Sequence, residues 1–115
     1  MPSIKKLLMD GVALTGTAIG PAVDLNETPF MGGAGRKSIV EMETAPGGAA
    51  VVKFQGHPGL ASKATPASGD AGWYDIATFN ASSKRSFEVD TPRWGRYNIT
   101  TLGTGTGVMN LYGDK

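Results

Sequence analysis

The sequence predicts an all-β domain: an antiparallel β-sandwich or small barrel with two long loops and little or no helix. Three observations predict it. Short runs alternate apolar and polar residues from position 37 to 112. No segment keeps an apolar period of 3.6 residues over eleven positions. The 17 Gly and 7 Pro of 115 residues cut the chain into pieces of strand length.

The elements follow in order. Lys5 and Lys6 precede Leu7, Leu8 and Met9, and Asp10-Gly11 ends this apolar run before it reaches the length of a signal-peptide core. Residues 1–10 are read as an N-terminal arm or edge strand, and 11–115 as a single sandwich domain. Stretches 11–16 and 18–25 suggest an early pair of strands, with Pro21 confining the second to an edge or bulge. Residues 26–36, Asn-Glu-Thr-Pro-Phe-Met-Gly-Gly-Ala-Gly-Arg, form the first long loop. In 37–44, Val40 and Met42 share a face opposite Glu41 and Glu43. Ala45-Pro46-Gly47-Gly48 reads as a hairpin connector to the next run. There Val52 and Phe54 oppose Val51, Lys53 and Gln55.

Residues 56–72, rich in Gly, Ala, Ser and Pro, form the second long loop, and a loop of that length in a small domain is functional or mobile. In 73–79, Tyr74 and Ile76 oppose Trp73, Asp75, Ala77 and Phe79, and Tyr74 is expected to face inward. Phe87 and Val89 share a face of 86–90, and Asp90-Thr91-Pro92 is a turn or strand entry. Tyr97 and Ile99 are the inward residues of 95–101. Gly103-Thr104-Gly105-Thr106-Gly107 links this run to a last strand carrying Met109 and Leu111.

Composition restricts function. Eleven Lys and Arg against ten Asp and Glu give a net charge of +1, spread as short pairs and not as the basic face that nucleic acid requires. No apolar stretch approaches a membrane span. With no Cys there is no disulfide, thiolate metal site or cysteine nucleophile. The three Asn-x-Ser/Thr sequons at Asn26, Asn80 and Asn98 are expected to be chance matches in a chain without a secretory signal.

Candidate chemistry is sparse. His57, the one histidine, lies in His-Pro-Gly and is read as a solvated loop residue; no Gly-x-Ser-x-Gly elbow accompanies it. Residues 32–38, Gly-Gly-Ala-Gly-Arg-Lys-Ser, depart from a phosphate loop because Arg36 interrupts the pattern and a strand follows. Asp70 and Asp75 lack the ligand density of a calcium loop and are read as turn residues. Trp73, Tyr74, Trp94 and Tyr97 are expected in core or interface packing. Trp73 and Trp94 exposed together on one side would instead form a sugar-stacking platform. No catalytic residue, cofactor or metal is assigned, and the chain is read as non-enzymatic.

The ordering of the second half carries a resemblance. Val52-Lys53-Phe54-Gln55-Gly56 is followed by Gly72-Trp73-Tyr74-Asp75-Ile76, then Ser86-Phe87-Glu88-Val89-Asp90-Thr91-Pro92, then Arg96-Tyr97-Asn98-Ile99-Thr100-Thr101-Leu102. With Asp10-Gly11-Val12-Ala13-Leu14-Thr15-Gly16 and Ala22-Val23-Asp24-Leu25, this resembles small β-sandwich virion proteins of tailed phages and prophages. The resemblance implies a capsid decoration or cement protein on the capsid surface of a virion, made in the host cytoplasm. Its implied partners are the major capsid protein and further copies of itself, with a trimer suggested by threefold shell sites; neither nucleic acid nor membrane is a partner. Large apolar side chains near the start and in the first loop, with the adjacent cation, would make the contacts: Ile4, Leu7, Leu8, Met9, Phe30, Met31 and Arg36. A tail or head–tail component and a carbohydrate-binding module are the alternatives.

Overall fold

Backbone pairing sorts the strands into two antiparallel sheets. The computed structural model describes residues 4–27 and 30–113, with the backbone alone at Ile4. Its strands are β1 (Ile4–Ala13), β2 (Ala18–Ile19), β3 (Val23–Asp24), β4 (Lys37–Met42), β5 (Val51–His57), β6 (Tyr74–Phe79), β7 (Ser86–Asp90), β8 (Trp94–Thr101) and β9 (Thr106–Gly113). The first sheet has the order β1-β9-β4-β7, and the second β2-β8-β5-β6 with β3 also on β8. The two sheets pack into the expected sandwich, and no helix occurs among the described residues.

Alternation explains which side chains meet between the sheets. Val40, Met42, Val52, Phe54, Val89, Tyr97, Ile99, Met109 and Leu111 are all buried, as a period of two requires of strands with one face on the core. Leu8, Met9, Leu14, Leu25, Phe30 and Phe79 complete the layer. Phe79 of the second sheet meets Phe87 of the first edge-to-face, with centroids 5.3 Å apart, a geometry favoured by the ring quadrupoles.

Strand β6 departs from the expected pattern. Opposite Phe54–Gln55 its register slips, so that Phe54 pairs with Ala77 and Gln55 with Asp75, leaving Ile76 as an extra residue. A bulge reverses the parity of every residue beyond it. Asp75 therefore joins Gln55 on the outer face, and Tyr74, opposite Gly56, returns to the side of Ala77 and Phe79. Tyr74 is nevertheless 47% exposed, because it lies at the open edge of the sandwich between edge strands β6 and β7, beside Glu88, Val89 and Asp90.

The Gly-rich connectors also differ from expectation. Residues 45–48 and 103–107 close no hairpins, because β4 and β5 belong to different sheets, as do β8 and β9. The two crossovers bond to each other instead, the Thr104 amide donating to the Gly47 carbonyl, and the Gly103 amide donates to the carbonyl of Leu14, just beyond β1. The early strands divide likewise, β1 lying at the edge of the first sheet and β2 and β3 on β8 to either side of Pro21. Bulges between Leu7 and Met9 and between Asp10 and Val12 interrupt β1, and Gly11 at the second takes a φ of 62°. Such bulges twist an edge strand away from unwanted pairing.

Phe54 is fully buried between the sheets. Phe54→Ala is expected to lower unfolding free energy by about 3–5 kcal/mol, read as a shift in the urea midpoint. A loss under 1 kcal/mol would show that the two sheets do not pack across this position.

Candidate functional site

The densest polar cluster lies on the outer face of the second sheet. Lys53, Gln55 and His57 project from β5, Asp75 from β6, and Arg96 and Asn98 from β8, brought side by side by register: Gln55 opposes Arg96 and Asp75, and Lys53 opposes Asn98. The long segment 58–73 folds across this face.

Arg96 is the centre of the cluster. It is only 5% exposed, and burial pushes its pKa below the usual guanidinium value; guanidinium nonetheless stays charged in proteins. Its Nε donates to Gln55 Oε1 at 2.9 Å, and its Nη1 donates to the Ser68 carbonyl at 2.9 Å. The guanidinium carbon lies 4.0 Å from the centroid of the Trp73 ring. Gln55 Oε1 also accepts from Asn98 Nδ2, while Gln55 Nε2 donates to Asp75 Oδ1 at 2.7 Å. Lys53 Nζ reaches Asp75 Oδ2 at 2.7 Å. Gln55 thus relays between a buried cation and a carboxylate, its amide orientation fixed at both ends.

His57 is not a solvated loop residue. Strand β5 continues to His57 because Gln55, Gly56 and His57 pair with Arg96, Gly95 and Trp94. The imidazole is 2% exposed and meets the Trp73 ring edge-on, with centroids 5.1 Å apart. The Gly59 amide donates to Nδ1 at 2.9 Å, so Nδ1 is an acceptor and Nε2 carries the proton directed at Asp70 Oδ2, 2.5 Å away. A hydrolytic triad instead directs one imidazole nitrogen at a nucleophile; here both are taken up by the loop. Asp70 also accepts from the Gly72 amide, and Trp73 Nε1 donates to the Ala67 carbonyl. Gly72 is obligatory: a Cβ there would lie 2.5 Å from His57 Nε2.

Asp70 and Asp75 are therefore more than turn residues, and both carboxyls are held below the ordinary value of 3.8. For Asp70 the first cause is the His57 hydrogen bond, followed by the Gly72 amide. For Asp75 the Gln55 hydrogen bond acts first, then Lys53. Among the described residues no group of three or more His, Asp and Glu side chains is placed to hold a metal ion, and no helix is long and apolar enough to cross a membrane.

The structure disperses the residues expected to contact a partner. Leu8 and Met9 point into the core at 5% and 1% exposure, because the bulge after Leu7 turns both inward. Phe30 is also a core residue, drawn in as its loop bonds to strand ends through Gly32 to Leu25 and Gly33 to Thr91. Gly32 permits this approach, since a Cβ there would overlap the Pro92 carbonyl. These three side chains are unavailable to a partner. Leu7, Met31 and Arg36 face outward, and the Ile4 side chain lies outside the described residues. Trp94 is 7% exposed and one face of Trp73 is taken by Arg96, so the two indoles make no sugar-stacking platform.

Alternation alone placed Lys53 and Gln55 on one face of β5, and Arg96 and Asn98 on one face of β8. The loop that covers them carries no periodic signal. Comparison with protein-family models, with curated proteins and with solved structures finds no match.

Two outcomes test the cluster. A folded state that depresses a carboxyl pKa is stabilised in full above the unfolded value and loses that contribution as pH falls through the lowered one. Melting temperature is expected to fall below pH 3.8, and less steeply in Asp70→Asn; an unchanged slope would detach Asp70 from the network. Trp73→Ala is expected to open residues 58–72 to limited proteolysis while urea unfolding stays cooperative. Cleavage no faster than in the parent would show that the loop is held by other contacts.

Proposed function

We propose that this chain is a non-enzymatic phage virion structural protein, a capsid decoration (cement) protein that stabilises the head by bridging major capsid proteins. The observation that carries the reading is the closed state of the polar cluster. His57, Asp70, Asp75, Gln55 and Arg96 satisfy one another and pin segment 58–73 to the scaffold. Among the side chains that face solvent on this braced framework are large apolar ones, Leu7 and Ile39 on strands and Met31 in the first loop. That is the surface chemistry of adhesion. The resemblance of the strand motifs to small virion proteins supplies the setting. Repeated copies on a shell add modest single-site affinities through multivalency.

Met31 and Arg36 belong to one loop, fastened where the Thr91 amide donates to the Arg36 carbonyl and Gly33 to Thr91. This fixed loop is the capsid contact under the proposal. Co-sedimentation with heads lacking the protein is expected to show saturable binding at micromolar concentration. Met31→Asp and Arg36→Glu are each expected to weaken it about tenfold or more, the cost of losing one well-buried anchor. A folded protein that fails to bind at micromolar concentration overturns the proposal.

A further inference from the structure

The two sheets present unlike outer faces. That of the second is covered by segment 58–73. No described segment crosses that of the first, where Leu7 and Ile39 stand 45% and 46% exposed on either side of the half-buried Tyr112. Register places them together: Lys5, Tyr112, Ile39 and Glu88 form one row across β1, β9, β4 and β7, and Leu7, Asn110, Glu41 and Ser86 the next, in which Asn110 is itself buried beneath its neighbours. An apolar stripe of Leu7, Tyr112 and Ile39 thus runs across three of the four strands, β1, β9 and β4.

The charges on the margins of this face run in opposite order. Along β1, Lys5 comes at one end and Asp10 at the other. Along the β7 side, Glu88 lies level with Lys5, with the Lys37–Asp90 ion pair beyond it, and Arg85, whose carbonyl accepts from the Met42 amide and whose Nη1 donates to the Glu43 carbonyl, lies toward the end marked by Asp10. Cation faces anion across the sheet at both ends.

We propose that this face binds a second copy of the chain, about a twofold axis running along the strands between β9 and β4. Such an axis lays β1 of each copy over β7 of the other. Lys5 then meets Glu88, Asp10 meets Arg85, and Tyr112 packs on Ile39, each contact occurring twice as an isologous interface requires. Two facing sheets pack about 10 Å apart and within roughly 30° of alignment, which these long side chains span. The carboxylates nearest the axis are already engaged within each chain: Glu41 accepts from the Tyr112 hydroxyl and Glu43 from Asn110 Nδ2. The marginal pairs therefore set the orientation, and the apolar stripe supplies the adhesion. The inference stands apart from the virion reading, since it concerns only the chain and its copy.

Light scattering and sedimentation equilibrium of the purified chain, from micromolar to submillimolar concentration, test it. A concentration-dependent dimer is expected. Ile39→Asp should give monomer throughout, still folded and unfolding cooperatively, with a melting temperature that no longer rises with protein concentration. Lys5→Glu should weaken association about tenfold, and Lys5→Glu combined with Glu88→Lys should restore it. A monomer at every concentration, an oligomer indifferent to Ile39→Asp, or a double variant as weak as Lys5→Glu alone overturns the proposal.

Discussion

A guanidinium withdrawn from water must be satisfied by its surroundings, and that constraint at Arg96 organises one whole side of the molecule. An uncompensated buried charge costs several kcal/mol, so the group can be 5% exposed only because Gln55, the Ser68 carbonyl and the Trp73 ring converge on it. Two of the three come from outside β5. The loop is thus a component of the charge's solvation and not an appendage to the sheet. His57 and Asp70 serve the same end a few residues away, closing the loop at its entry and exit.

This explains how a chain so rich in Gly, Ala and Ser between positions 56 and 72 holds a defined course. Residues of that composition lack apolar bulk with which to dock. The anchoring falls to backbone carbonyls and one indole: Ala67 receives the Trp73 Nε1 proton, Ser68 receives Arg96, and the Gly59 and Gly72 amides turn inward to His57 and Asp70. Small residues suit this role, because they let backbone groups reach the sheet unobstructed.

Much of the fold was legible in the sequence, and the reason is the period of two. Val52 and Phe54, Tyr97 and Ile99, Met109 and Leu111 announce their faces because each strand has one side on the core. Tyr74 misled, since alternation names a face but not whether the strand lies at an edge where that face stays open, and the bulge at Ile76, which moves Asp75 to the polar face, is set by how two strands pair and leaves little trace in either strand alone. The connectors misled for a related reason. Ala45-Pro46-Gly47-Gly48 has turn chemistry, but turn chemistry does not specify whether the chain returns in its own sheet or crosses to the other. The site was half legible: alternation gathers Lys53, Gln55, Arg96 and Asn98 on polar faces, whereas the covering by residues 58–73 depends on side chain to carbonyl bonds that carry no residue-type signature. Likewise Leu8 and Phe30 are as apolar as Leu7 and Met31, and only three-dimensional packing separates core from surface.

The strand order has a consequence for how this chain is made. Among the described strands only β5 and β6 are neighbours both in sequence and in a sheet; β9, last in order, fills the gap between β1 and β4. During synthesis β4 can pair with β7, but β1 has no partner in the sheet while β9 is still within the ribosome, so β1 waits with its edges and apolar face uncovered. Pairings between distant segments close slowly, and waiting strands are prone to pair with neighbours. The lysines at the start of β1 and Asp10 within it, charges that disfavour pairing with other chains, then protect the nascent chain before β9 is there to cover the strand.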